Sequence, residues 1–160
     1  MTFGIIGYGR FGKMWAQYMS AHGRVFVYDK NNKKIPKSRK IIPATLAKTV
    51  SADIVFLAVP ISALIDSCRA IKTFLRPETL VTDVCSVKIM PTRVMKKFLP
   101  KNQPILATHP LFGPDSEEIN HGLQGFKIVI CRLSPQSPLE KKLIAIFKKY
   151  REAGIYLFFA

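Results

Sequence analysis

Three short stretches of the 160-residue chain carry residue types whose spacing could do chemistry. The first is Gly7-Tyr8-Gly9-Arg10-Phe11-Gly12, lying between an apolar run, FGIIGY (3 to 8), and a stripe at helical spacing formed by Phe11, Met14, Trp15, Tyr18 and Met19. A GxGxxG at a strand-to-helix junction suits a dinucleotide. Its first glycine permits a tight turn, its second lets a pyrophosphate approach the backbone, its third lets helix and strand pack closely, and the helix N-terminus offers unpaired N–H groups to phosphate. Gly7, Gly9, Arg10, Phe11 and Gly12 are therefore the expected cofactor loop. Asp29 ends the next apolar run, VFVYD (25 to 29). A carboxylate there accepts hydrogen bonds from the adenosine ribose hydroxyls and repels a 2′-phosphate, which favours NAD. Lys30, Lys33 and Lys34 beside it would hold a 2′-phosphate if Asp29 turned away, so NADP stays open.

The second stretch is THPLFGPDSEE (108 to 118), in which His109 stands among two prolines, a glycine and three acids. Proline chemistry argues against a helix interior or a central strand, so the stretch reads as a stiff, shaped loop. The third is CSVK (85 to 88), after the run TLVTDV (79 to 84). Ligands of open parallel sheets bind beyond the carboxyl ends of the strands, and Val59-Pro60, Cys85-Ser86 and His109 all fall at such ends. A neutral imidazole there can take a proton from a hydroxyl. Two readings are open for His109, a general base or a loop histidine satisfied by backbone. Two are open for Ser86, a site residue facing the same crevice as His109 or a cap for a helix starting near Val87. His22 and His121 lack such a setting, and Asp115, Glu117 and Glu118 read as a helix start or a solvated face, so no metal site is expected.

Positioning these groups requires alternating strands and helices. Strands are expected at 3 to 8, 25 to 29, 53 to 60, 79 to 84, 104 to 109, 126 to 133 and 155 to 159, with a short segment near 44 to 50. Helical stripes follow Phe11, run from Ile61 to Leu75, begin near Val87, and run from Ser137 to Tyr150 with Gly154 as the stop. Alternation of this kind builds a Rossmann-type, doubly wound, mostly parallel sheet with helices on both faces. The length suits one domain over 1 to 160.

Lysine and arginine number 25 against 10 acids, a formal charge of +15, concentrated in KNNKKIPKSRK (30 to 40) and EKKLIAIFKKYRE (140 to 152). These read as a solvated loop and the polar face of an amphipathic helix, whose field suits a small anionic substrate, and no nucleic-acid motif accompanies them. Cys68, Cys85 and Cys131 are odd in number, widely spaced and in apolar settings, which fits buried free thiols in a reducing cytosol. No signal peptide or apolar run of membrane length is visible, so a cytoplasmic location is expected. The stop at Ala160, directly after the apolar run IYLFF, leads to the expectation of a following segment or a partner, with a homo-oligomer among the possibilities.

VTDVCSVKIMPTRVMKKFLP followed by ILATHPLFGPDS resembles the prephenate and arogenate dehydrogenase family, in which a D-x-x-S-V-K segment and an H-P-M-F-G-P-[DE]-S segment follow the dinucleotide fold. Leu111 replaces the methionine of the second segment. With the glycine loop and DIVFLAVP, the resemblance spans nearly the whole chain. It implies an oxidoreductase of tyrosine biosynthesis that oxidises and decarboxylates prephenate or arogenate, with hydride passing from C4 to the nicotinamide. It implies His109 as acceptor of the 4-hydroxyl proton, Ser86 holding the imidazole or contacting substrate and nicotinamide, and Lys88 and Gly113 facing substrate. The family's helical dimerisation domain, which completes the substrate cage, has no counterpart in these 160 residues. The competing expectations are a cofactor-binding relative without turnover and another nicotinamide-dependent oxidoreductase.

Overall fold

The computed structural model describes residues 1–31, 35–36, 38–119 and 127–149. In chain order the elements are β1 (Thr2–Ile6), α1 (Arg10–Ser20), β2 (Arg24–Tyr28), β3 (Ile41–Pro43), α2 (Leu46–Val50), β4 (Ile54–Leu57), a 3-10 turn (Ile61–Ala63) leading into α3 (Leu64–Ile71), β5 (Leu80–Asp83), α4 (Ile89–Phe98), β6 (Ile105–Pro110), α5 (Pro114–Ile119), β7 (Ile128–Arg132) and α6 (Pro138–Lys149). The strands form one sheet in the order β3-β2-β1-β4-β5-β6-β7. All neighbours are parallel except β6 and β7, which run antiparallel. The order reverses between β1 and β4, which places a crevice beyond their carboxyl ends. This is the doubly wound, mostly parallel sheet expected.

Both faces of the sheet are apolar because alternate residues of each strand point to opposite sides. Phe3, Ile5, Val25, Val27, Ile54 and Phe56 pack on one side with Trp15 and Met19 of α1 and Leu143 and Phe147 of α6. Ile6, Phe26, Val55, Leu57 and Val81 pack on the other with Val50 of α2, Leu64, Cys68 and Ile71 of α3, and Met95 of α4. Trp15 is the hub of the first layer, with ring contacts to Phe11, Phe56, Phe112 and Phe147. Phe56 is fully buried on the central strand. Phe56→Ala is expected to cost about 3–5 kcal/mol of stability, read as a lower urea midpoint at unchanged slope.

Four local expectations are corrected. The strand β3 lies between the basic loop (30 to 40) and the short segment near 44 to 50, where no strand is expected; three residues closing on Pro43 carry little strand signal, and an edge tolerates that proline. The strand expected to end at His109 runs on through Pro110, the first residue expected to be in the loop, so that Thr108, His109 and Pro110 face Ile130, Val129 and Ile128 of β7. The pairing of β5 with β6 ends at Asp83 and Ala107, so beyond that point β6 has a ladder partner on one side only, and Pro110 sits where a missing N–H is least costly. Helix α4 starts at Ile89 with Lys88 before it and no side-chain cap, so Ser86 is not the cap. Finally, Cys85 is only partly buried, whereas Cys68 and Cys131 are buried, and all three are free. The expected strand at 155–159, the stop at Gly154, Tyr150, Lys33, Lys34 and His121 lie outside the described residues. Among the described residues no helix is long and apolar enough to cross a membrane.

Candidate dinucleotide site

The glycine loop makes the tight connection its sequence calls for. Gly7 has φ of +98°, and its N–H donates to the Tyr28 carbonyl at 2.8 Å, joining the ends of β1 and β2. A Cβ on Gly7 would stand 2.4 Å from the Ala58 carbonyl oxygen, and one on Gly12 would stand 2.1 Å from the Gly7 carbonyl oxygen. Gly9 differs, because nothing lies within 4 Å of the place its Cβ would take. Gly9 also precedes α1 with extended backbone and no side-chain cap, and the first turn contains no acid. The N-terminus of α1 thus has no side-chain cap, and its unpaired N–H groups carry the positive end of the helix dipole.

Asp29 is the local anchor. Its carboxylate, 9% exposed, accepts from the Tyr8 N–H at 2.7 Å and the Asn31 N–H at 2.9 Å. It therefore holds the glycine loop as well as standing at the end of β2. Gly7, Gly9, Tyr28, Asp29, Val59 and Pro60 line a cleft of about 300 Å³ together with Leu46 of α2 and Asp66 and Ser67 of α3. A second cleft of about 550 Å³ is lined by Gly9, Arg10, Phe11, Gly12, Val59, Pro60 and, across from them, Val84, Cys85, Ser86 and Val87. The two share Gly9, Ala58, Val59 and Pro60, so they run as one groove across the switch point of the sheet. The groove fits an elongated anion. It offers an uncapped helix N-terminus at Gly9, an enclosed end with Asp29 and an open end with Ser86.

Every expected cofactor residue lines this groove. His109, Lys88 and Gly113 do not line either cleft, and among the described residues no hydrogen bond joins Ser86 to His109. What links the two segments is Asp83, whose role spacing alone does not reveal. Its carboxylate is fully buried and accepts from the Cys85 N–H at 3.1 Å, from Lys88 Nζ at 2.5 Å and from the Thr108 N–H at 3.3 Å. Lys88 Nζ also donates to the Thr108 carbonyl at 2.5 Å, and Thr108 Oγ1 donates to the Asp83 carbonyl at 2.5 Å. The Lys88 ammonium, expected to face substrate, is thus committed within the protein. The D-x-x-S-V-K spacing was the available signal, since its acid and its lysine meet across one turn.

Burial and the neighbouring Lys88 cation hold the His109 imidazole below its ordinary pKa, opposed in part by Asp83. A base that is neutral at physiological pH results. Cys85 is pushed up to about 12, mainly by burial and then by Asp83, so it stays a thiol and offers no thiolate to the cleft. The acids of the second stretch face α1: Asp115 pairs with Arg10, and Glu117 Oε1 accepts from Tyr18 Oη at 2.6 Å. Both readings of these acids hold: Asp115 and Glu117 lie in the first turn of α5, and Asp115 and Glu118 are solvent-exposed. Among the described residues no three His, Cys, Asp or Glu side chains are grouped as a metal site.

Comparison with known proteins agrees with this geometry. Residues 15–152 match the family described as prephenate dehydrogenase, nucleotide-binding domain. The chain is 27% identical over 135 residues to arogenate dehydrogenase 1, chloroplastic, of Arabidopsis thaliana, covering 81% of this chain and 21% of that protein. It superposes on the crystal structure of Synechocystis arogenate dehydrogenase with a TM-score of 0.78 at 20% identity, over 99% of this chain and 60% of the other. Prephenate dehydrogenase of Aquifex aeolicus, solved with hydroxyphenyl propionate and NAD+, gives 0.71 at 20% identity over 100% of this chain and 59% of the other. The chain therefore spans between 21% and 60% of the length of these relatives, and with a family match over most of its own length it belongs to the prephenate dehydrogenase nucleotide-binding domain family.

Proposed function

We propose that residues 1–160 are the dinucleotide-binding domain of an NAD-dependent dehydrogenase that oxidatively decarboxylates prephenate or arogenate on the way to tyrosine. The observation that carries the reading is the groove itself. It joins an uncapped helix N-terminus at Gly9, a buried acid at the end of β2 and Ser86 at the end of β5, on a chain of this family. Gly7, Gly9, Arg10, Phe11 and Gly12 would hold the pyrophosphate, Asp29 the ribose, and Val59, Pro60 and Ser86 the nicotinamide half. Bound NAD supplies the hydride acceptor. His109 takes the proton of the substrate's 4-hydroxyl as C4 loses its hydride, and C4 becomes a carbonyl carbon. Loss of carbon dioxide then leaves its electron pair in the ring, and the proton returns to the oxygen as the ring becomes a phenol. No net proton is consumed, and aromatisation drives the step. Arg10, paired to Asp115, has a carboxylate that a pyrophosphate would compete with.

The test is to mix the purified chain with prephenate or arogenate and NAD or NADP, and to follow reduced cofactor by absorbance. Turnover with one pair supports the whole reading; absence of any cofactor binding refutes it. One observation favours a second reading, binding without turnover by these 160 residues alone. His109 and Gly113 line neither of the two clefts, so these clefts do not join the base to the cofactor groove. Cofactor affinity with no turnover on any pair would select it, since positioning of substrate is worth many orders of magnitude in rate.

The preference for NAD has its own test. Asp29→Asn removes the charge that repels a 2′-phosphate and weakens the bonds to the Tyr8 and Asn31 N–H groups. The ratio of NAD to NADP affinity is expected to fall by roughly tenfold or more, the size of one charge-assisted hydrogen bond. Calorimetric titration of both cofactors against both proteins reads it.

A further inference from the structure

A buried ion pair is weak evidence for stability, because the desolvation of two charges offsets most of their attraction. The pair formed by Asp83 and Lys88 is such a case, with Asp83 fully buried and the Lys88 side chain 17% exposed. Its use is better sought in what it holds. All its remaining hydrogen bonds run to the residue before His109 or to the residue before Ser86. Thr108 contributes its N–H and its carbonyl, and Cys85 contributes its N–H. The backbone ladder between β5 and β6 stops one residue earlier, at Asp83 and Ala107. Beyond it, the side chains of Asp83 and Lys88 take the place of backbone pairing.

We propose that Asp83 and Lys88 are the positioning pair of this site, clamping Thr108 to the end of β5 and so fixing where His109 stands relative to Ser86. Lys88 is then a positioning residue rather than a substrate contact. The clamp also keeps a cation beside the imidazole. Among the described residues the charged groups that bear on His109 are Lys88 and Asp83; the residue facing it on β7 is Val129, which is apolar. Of the two charges the lysine acts more strongly on the ring, and it favours the neutral form that a base requires. The inference rests on the proposed role of His109 as the base, but its test needs neither cofactor nor substrate, so a failed turnover assay leaves it decidable.

The experiment follows the His109 ring and the Thr108 amide by NMR across pH in the 160-residue chain, in the wild type, Lys88→Met and Lys88→Arg. In folded Lys88→Met the titration midpoint of His109 is expected to move up and the Thr108 amide to shift, because the cation and its bond to the Thr108 carbonyl are both gone. Lys88→Arg is expected to restore the midpoint toward the wild type by keeping the charge. If Lys88→Met does not fold, the uncharged double variant Asp83→Asn with Lys88→Gln takes its place, and a smaller upward move is expected because the opposing carboxylate is lost too. A folded variant without the Lys88 charge whose His109 midpoint and Thr108 amide stay at wild-type positions overturns the proposal.

Discussion

Replacing His109 with asparagine is expected to lower turnover by about 10²- to 10⁴-fold while leaving NAD affinity unchanged, the usual contribution of a general base. The separation follows from position. His109 lies in β6, next to β5, whose end at Asp83 leads on to Ser86, and outside both parts of the groove that would hold the cofactor. Asparagine keeps a polar group of similar reach and cannot hold the proton at neutral pH. The pH dependence carries the same signature. The imidazole must be neutral to accept a proton, and burial with Lys88 lowers its pKa from the ordinary 6.5. Activity should therefore persist below pH 6.5 and fall only as the pH drops through the lowered value. An acid limb of kcat/KM at or above the ordinary histidine value, or a His109→Asn variant as fast as the wild type, would remove the base from the account. The assay is reduced-cofactor absorbance under saturating NAD, on whatever form of the protein turns over.

The second large effect separates two glycines three residues apart. Gly9→Ala is expected to leave the melting temperature close to wild type and to weaken NAD binding by tenfold or more. Its backbone is extended with φ of −72°, which alanine adopts freely, and among the described residues nothing beyond its own chain neighbours lies within 4 Å of the added Cβ. Among the described residues the methyl meets no new neighbour, and it would obstruct a ligand approaching the uncapped end of α1. Gly12→Ala should do the reverse in order of severity. Its Cβ would stand 2.1 Å from the Gly7 carbonyl oxygen, backbone against backbone, so α1 must move off β1. A loss of stability of about 1–3 kcal/mol, as for overpacked cores, is expected together with lost binding. Thermal melts and calorimetry on the two variants check both. Equal losses of stability in Gly9→Ala and Gly12→Ala would show that the space at Gly9 is structural and not kept for a ligand.

The cofactor half was legible because its signals are local. Strand, glycine loop, helix and strand-end acid occupy residues 2 to 29, and each residue's requirement can be stated from its neighbours in sequence. Around His109 the residue types stand out in the sequence, and their geometry does not. Pro110 argued for a loop, and the reason it sits in a strand is that β5 ends at Asp83, a fact belonging to another strand. The role of Asp83 depends on Thr108, 25 residues away, and the partner of Arg10 is Asp115, 105 residues away. Spacing arguments do not reach so far. Ser86 has the residue type of a helix cap, yet helix α4 begins at Ile89, with Lys88 drawn inward to Asp83. A side chain's better electrostatic partner outweighed the local capping preference.

The central claim is that one groove over β1, β2, β4 and β5 holds NAD. The most direct measurement is a titration of the 160-residue chain with NAD, recorded by amide NMR and by calorimetry in parallel. The account predicts one NAD per chain, with the perturbed amides concentrated at Gly7, Gly9, Arg10, Phe11, Gly12, Asp29, Val59 and Ser86. No binding heat, or perturbations that leave the Gly7–Gly12 loop untouched, would contradict it.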